Sequence, residues 1–180
     1  GYNNGTESKI SWNGSTFVIE EGYGNHPVTN VTRAGSEAFA RYYGMRLPTP
    51  QEWERAAVGD TASFGQMWPW GDWIYQNDDQ GNVEVISANF NQECSNCMEG
   101  IWNDGFNGTS PVGFYNSVNI VPETNITTGD GRSPFGLYDM AGNVSEYLSE
   151  YQYDDGEFDQ SENGFKPLLI GGGWNSFVSE

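Results

Sequence analysis

Basic side chains are scarce in this sequence: 7 Lys and Arg stand against 25 Asp and Glu in 180 residues, for a formal charge of −18. So negative a molecule repels phosphate backbones and anionic bilayers, which argues against nucleic acid and anionic membranes as partners. Long apolar runs are missing as well. No stretch reaches the roughly 18 residues that a spanning helix requires, and no charged-then-apolar leader opens the chain, so neither a membrane span nor an uncleaved signal is expected. Histidine occurs once, at His26. A serine or cysteine triad would have to use it, and its setting in His26-Pro27-Val28 reads better as packing than as a general base. Cysteine occurs twice, in Cys94-Ser95-Asn96-Cys97. This pair lacks the βαβ context of a thioredoxin motif and has no second ligand pair, so a small-loop disulfide between Cys94 and Cys97 is the expectation. Carboxylates abound, yet no spacing singles out two of them for acid–base catalysis, and no catalytic residue is nominated.

What the chain does have is rings and turns. Seven Trp, 10 Tyr and 10 Phe make 15% aromatics, which separates it from disordered acidic chains. With 24 Gly and many Asn, Ser and Thr, most of the path is expected to be loops held by an aromatic core. One domain over residues 1–180 is the default at this length. The excess negative charge repels itself in a compact state, and divalent cations, calcium first, are the simplest remedy. Six tripeptides fit the glycosylation acceptor pattern, at Asn4, Asn13, Asn30, Asn107, Asn125 and Asn143. Asn125, in a Thr-rich loop, reads as the most accessible, with Asn107, Asn30, Asn13 and Asn4 as further candidates. Acidity, calcium and sequons together point to an extracellular, secreted protein.

Residues 1–24 alternate around Trp12, Phe17, Val18 and Ile19 with Asn13-Gly14 as a tight turn, which predicts a hairpin. Thr32 can cap a helix over residues 33–43 with Ala34, Ala38, Phe39 and Tyr42 facing inward and Gly44 as its stop. The next helix is specified best: Thr49 caps it, Pro50 takes its first turn, Glu52 closes a capping box, Gly59 ends it, and Trp53, Ala56 and Ala57 face inward. Residues 60–123 read as loop, stapled by Trp68, Trp70, Trp73, Phe90, Trp102, Phe106 and Phe114. Residues 135–147 and 168–174 read as the last core elements, separated by an acidic loop over 153–163.

The run Arg46-Leu47-Pro48-Thr49-Pro50-Gln51-Glu52-Trp53-Glu54 resembles the RLPTEAEWE signature of the formylglycine-generating enzyme, or sulfatase-modifying factor, family. His26-Pro27-Val28, Pro69-Trp70-Gly71, residues 138–146 and Gly171-Gly172-Gly173-Trp174 follow that family's pieces in order. The resemblance spans about residues 12–174 and implies an α+β, C-type-lectin-like fold, loop-rich, with two short helices and small antiparallel sheets. It also implies a chain trimmed at both ends relative to the family.

Two calcium loops follow by resemblance. In the first, the side chains of Asn89 and Asp104 coordinate together with the carbonyls of Phe90 and Phe106. In the second, the side chains of Asp139 and Glu146 act with the carbonyls of Gly142 and Val144, Asp139 standing where the family often has Asn. Read as bare residues, the same Asp, Asn and Gly serve equally as turns and caps; calcium wants such mixed hard oxygens. Family enzymes hold copper(I) with a cysteine pair beyond the Gly-Gly-Trp segment, and soft thiolates suit that ion. This sequence has no cysteine after Cys97, so a non-catalytic domain is expected. The histidine-rich iron chemistry of the related sulfoxide synthases is excluded by the single histidine.

Three functions stay open. The first is a calcium-stabilised extracellular structural or assembly module, a homo-oligomer or filament built by strand addition. The second is a lectin-like module for a glycan or protein ligand. The third is a fragment of a copper-dependent formylglycine-generating oxidase.

Overall fold

The computed structural model describes residues 8–59, 68–71, 75–77, 83–90, 104–153 and 165–175. The chain opens with the hairpin β1 (Ile10–Trp12) and β2 (Phe17–Ile19), antiparallel with Ile10 opposite Ile19 and Trp12 opposite Phe17. Asn13 makes the turn: its Oδ1 accepts from the backbone N–H groups of Ser15 and Thr16 at 3.0 Å each.

Helix α1 (Arg33–Tyr42) starts at Thr32, whose hydroxyl accepts from the Gly35 N–H, and stops at Gly44 with φ +70°. Its bounds match the expectation, but its inward face does not. Ala34, Ala38, Phe39 and Tyr42 are exposed, Tyr42 to 83%, whereas Arg33 and Ala40 are buried. The cause lies far along the chain. The Arg33 guanidinium donates to the carbonyls of Ser149 (2.8 Å) and Glu150 (3.2 Å) and stacks 3.8 Å over the Tyr151 ring. That clamp turns the stripe of Arg33, Glu37 and Ala40, spaced i, i+4, i+7, toward the protein.

Helix α2 (Pro50–Val58) is as read: Thr49 caps it, both bonds of the capping box form, and Gly59 is its C-cap. Arg46 grips Glu52 with two nitrogens at 2.7 and 2.6 Å. Ala57 is buried and Trp53 and Ala56 are half-buried, as expected of the inward face.

Two strands correct the reading of residues 60–123 as loop, and a third follows just beyond it. β3 (Tyr75–Asn77) pairs antiparallel with β4 (Val83–Ile86), and β4 pairs in parallel with β5 (Thr127–Thr128). A four-residue strand whose parallel partner lies some forty residues on has no local signature. Ile86 of β4 joins Tyr115 and Val121 in the apolar core, with Phe114 and Ile126 packed against it. The aromatic staples are present where described: Trp68 stacks on Trp70 (5.9 Å) and tilts onto Phe90 (5.5 Å), and Phe106 meets Phe114 edge-on (4.9 Å). Trp73 and Trp102 lie outside the described residues.

The chain closes with β6 (Glu146–Tyr153) and β7 (Phe165–Ile170), antiparallel with an irregularity between Tyr147 and Tyr151. The expected core segment 135–147 holds in part: Met140, Ala141 and Asn143 are buried, but Phe135 and Leu137 are exposed, residues 135–145 form no strand or helix, and the buried strand residue is Leu148 of β6. The acidic segment 154–163 lies outside the described residues. Two helices with small sheets make the α+β class that the sequence implied.

Candidate metal centre

The first loop begins where β4 ends. Asn89 is 2% exposed; its amide nitrogen donates to the Gly108 carbonyl at 2.8 Å, which points the amide oxygen the other way. Asp104, also buried, uses Oδ1 to accept from the Phe106 N–H at 3.0 Å. Gly105 between them has φ +79°, and a Cβ there would overlap the ring of Pro122, so the tight bend needs glycine.

The second loop is residues 139–146. Asp139, Gly142 and Asn143 all have positive φ, at +58°, +85° and +64°. Asp and Asn are the side-chain-bearing residues that tolerate this region best. The turn is clamped on three sides. The Asn143 N–H donates to the Asn89 carbonyl (2.8 Å), the Gly142 N–H to Gly171 (2.8 Å), and the Trp174 N–H to the Asn143 carbonyl (2.9 Å). The Asn143 side chain both accepts from the Ser110 N–H and donates to the Ser110 carbonyl. The two loops therefore touch through Asn89, and a Cβ on Gly142 would stand 2.6 Å from the Asn89 carbonyl oxygen and 3.1 Å from the Phe90 ring.

Each acid of the second loop is positioned through one oxygen. Asp139 Oδ2 accepts from the Gly113 N–H at 2.7 Å, and Glu146 Oε2 accepts from the Trp53 indole at 2.5 Å. Burial pushes the pKa of both carboxyls up; the Gly113 and Trp53 bonds oppose it, and the Asp139 charge pushes Glu146 further up. No cationic side chain enters either balance. Tyr115, 2% exposed, has its ionisation driven up by burial and then by the charges of Asp104 and Asp139, so one phenol lies in the field of both loops.

Among the described residues, the carbonyls of Phe90, Phe106, Gly142 and Val144 accept no hydrogen bond, although the Asn143 carbonyl between the last two is taken by Trp174. Carboxylate, amide and free carbonyl oxygens form a hard-oxygen set that fits calcium. Among the described residues no three His, Cys, Asp or Glu side chains gather at one point, so carbonyls would have to complete either shell. Cys94 and Cys97, the thiols on which a copper(I) site would draw, lie outside the described residues.

No local sequence signal marks Trp53 and Tyr115 as site residues, because their partners are remote in sequence. His26 sits with Nδ1 2.9 Å from the Thr109 hydroxyl and its ring 4.6 Å from Tyr23; burial lowers its pKa. It reaches neither acid of the site through any described hydrogen bond. Asn13, Asn30, Asn107 and Asn125 are exposed, Asn143 is buried with its amide bonded to Ser110 through both oxygen and nitrogen, and Asn4 lies outside the described residues.

Residues 2–180 match the family described as "Sulfatase-modifying factor enzyme 1-like domain". Similar curated proteins include "Serine/threonine-protein kinase pkn1" of Chlamydia pneumoniae, 31% identical over 97% of this chain and 23% of that protein. "Inactive C-alpha-formylglycine-generating enzyme 2" of Bos taurus is 35% identical over 72% of this chain and 35% of its own length. "Formylglycine-generating enzyme" of Mus musculus is 31% identical over 71% of this chain and 28% of its own. The chain thus spans a quarter to a third of the relatives it matches.

Proposed function

Since the chain belongs to the sulfatase-modifying factor enzyme 1-like family, we propose that it is a non-catalytic, calcium-stabilised structural or assembly module of an extracellular protein. The observation that carries the reading is a pair of desolvated carboxyls on one turn, each held by a single hydrogen bond. Asp139 and Glu146 are desolvated with no basic side chain in their balance, beside two carbonyls that accept no hydrogen bond from described residues. In a chain of charge −18 the compensating charge then comes from outside the polypeptide. Asn89, Asp104 and the carbonyls of Phe90 and Phe106 would hold one ion; Asp139, Glu146 and the carbonyls of Gly142 and Val144 would hold the other. Bound calcium supplies positive charge and fixes loops that no sheet organises.

A relative whose name includes "Inactive" agrees with a family that holds both kinds of member. A second reading, a module for a glycan or protein ligand, draws on the exposed Phe39 and Tyr42 of α1 and Tyr43 at its C-cap. Melting in calcium and in a calcium chelator tests the first reading: a clear fall in melting temperature is expected, and an identical transition overturns it. Copper-dependent oxygen uptake with a cysteine-containing peptide would instead favour an oxidase.

A further inference from the structure

Resting on the reading of this domain as a binding or assembly module, we infer that the β1–β2 hairpin is a docking edge for an extended, basic polypeptide segment of a partner protein. The ladder bonds from Asn13 to Thr16 and from Glu20 to Lys9 flank the hairpin. Ile10/Ile19 and Trp12/Phe17 are then the non-hydrogen-bonded pairs, with side chains close together on one face and the backbone groups of Phe17 and Ile19 directed outward from β2. That face is wholly apolar. Trp12 is 58% exposed, Phe17 72% and Ile19 52%, and the Trp12 and Phe17 rings meet edge-on at 5.1 Å.

At the other end of the face, Ile10 and Ile19 join Tyr23, Pro27 and Val28 around a cavity of about 70 Å³, room for one aliphatic side chain. No described strand pairs with the outer edge of β2. A two-stranded sheet is marginal alone, and an added strand would supply both edge hydrogen bonds and apolar cover.

Charge selects the occupant. Glu20 and Glu21 follow β2 directly, and Lys9 is already held by Glu20 at 3.1 Å beneath the Tyr23 ring. A second copy would bring −18 against −18, whereas a strand alternating apolar and Lys or Arg residues satisfies face and field together.

The probe is a short peptide of alternating valine and lysine, titrated against the whole chain by calorimetry and by amide NMR shifts. Saturable binding with shifts at residues 17–19 is expected. Methylating the peptide nitrogens that face the edge removes the two hydrogen bonds to the carbonyls of Phe17 and Ile19 and should weaken binding about twenty-five-fold, near fivefold for each. A valine–glutamate peptide should not bind, and Phe17→Ser should bind the lysine peptide about tenfold less tightly.

Equal affinity for the methylated peptide, absence of saturable binding, or indifference to Phe17→Ser overturns the inference. Dimerisation abolished by Phe17→Ser overturns the basic partner in favour of a second copy. Because the methylated peptide is tested on the unaltered chain, a misfolded variant cannot hide failure. The chelator experiment reports on calcium alone, so the two readings fail separately.

Discussion

Replacing Gly142 by alanine separates backbone conformation from contact. Any L-residue at φ +85° costs about 1 kcal/mol through crowding of its Cβ. Here the added carbon also lands 2.6 Å from the Asn89 carbonyl and 3.1 Å from the Phe90 ring. Relief requires the two loops to part, which stretches or breaks the 2.8 Å bond from the Asn143 N–H to Asn89 and loosens the Phe90 packing, a further loss of about 2 kcal/mol. Gly136→Ala is the control: φ is +79°, yet nothing lies within 4 Å of its Cβ. At about 2–4 °C per kcal/mol for a chain of this size, Gly142→Ala should melt about 6–12 °C below the parent and Gly136→Ala about 2–4 °C below. Calorimetric scans of both, with hydrogen exchange at the Asn143 amide, test this. Equal melting temperatures would refute the claim that the two loops are in contact at Gly142.

Three other outcomes are expected. Glu146→Gln keeps the bond to Trp53 but removes a ligand charge, so it should abolish much of the stabilisation that calcium gives and change melting in chelator far less; equal losses in both conditions contradict a cation role. Arg46 and the Thr49 N–H hold Glu52 at a pKa of about 2, below its ordinary 4.5. Its contribution is therefore complete above pH 4.5 and is lost as pH falls toward 2, so Glu52→Gln should flatten stability in that window, less so in high salt, as acid melts would record. Arg33→Met strands the carbonyls of Ser149 and Glu150 and should cost about 2–4 kcal/mol in denaturant unfolding, with an unchanged midpoint as the contrary result.

What the sequence made legible was whatever closes within a few residues. Helix α2 declares itself because Thr49 and Glu52, three apart, satisfy each other's backbone N–H groups. The β1–β2 turn declares itself through Asn13 and Gly14. The bounds of α1 follow from Thr32 and Gly44, but its orientation is set by carbonyls 116 and 117 residues away, so an apolar-face rule turned it the wrong way. β4 is invisible for the same reason, since its parallel partner is β5. The oxygen ligands of the candidate site were named through resemblance; as bare residues they were equally turns and caps. Trp53, which fixes Glu146 from 93 residues away, carried no signal at all beyond its place on the inward face of α2.

Tyr115 ties these threads physically. Its ring belongs to the apolar cluster with Ile86 and Val121, while its hydroxyl is buried without a hydrogen-bond partner in the field of Asp104 and Asp139. An unpaired buried hydroxyl costs about 1–3 kcal/mol, so the loops that carry those acids cannot relax without altering the environment of a core residue. Core and loops are joined again at Asn89, which is continuous with the end of β4 and bonded to the 139–146 turn. Charge at the turn is therefore felt by a core residue. On the proposed calcium reading, that coupling is the route by which an ion at the turn would act on the core around Tyr115.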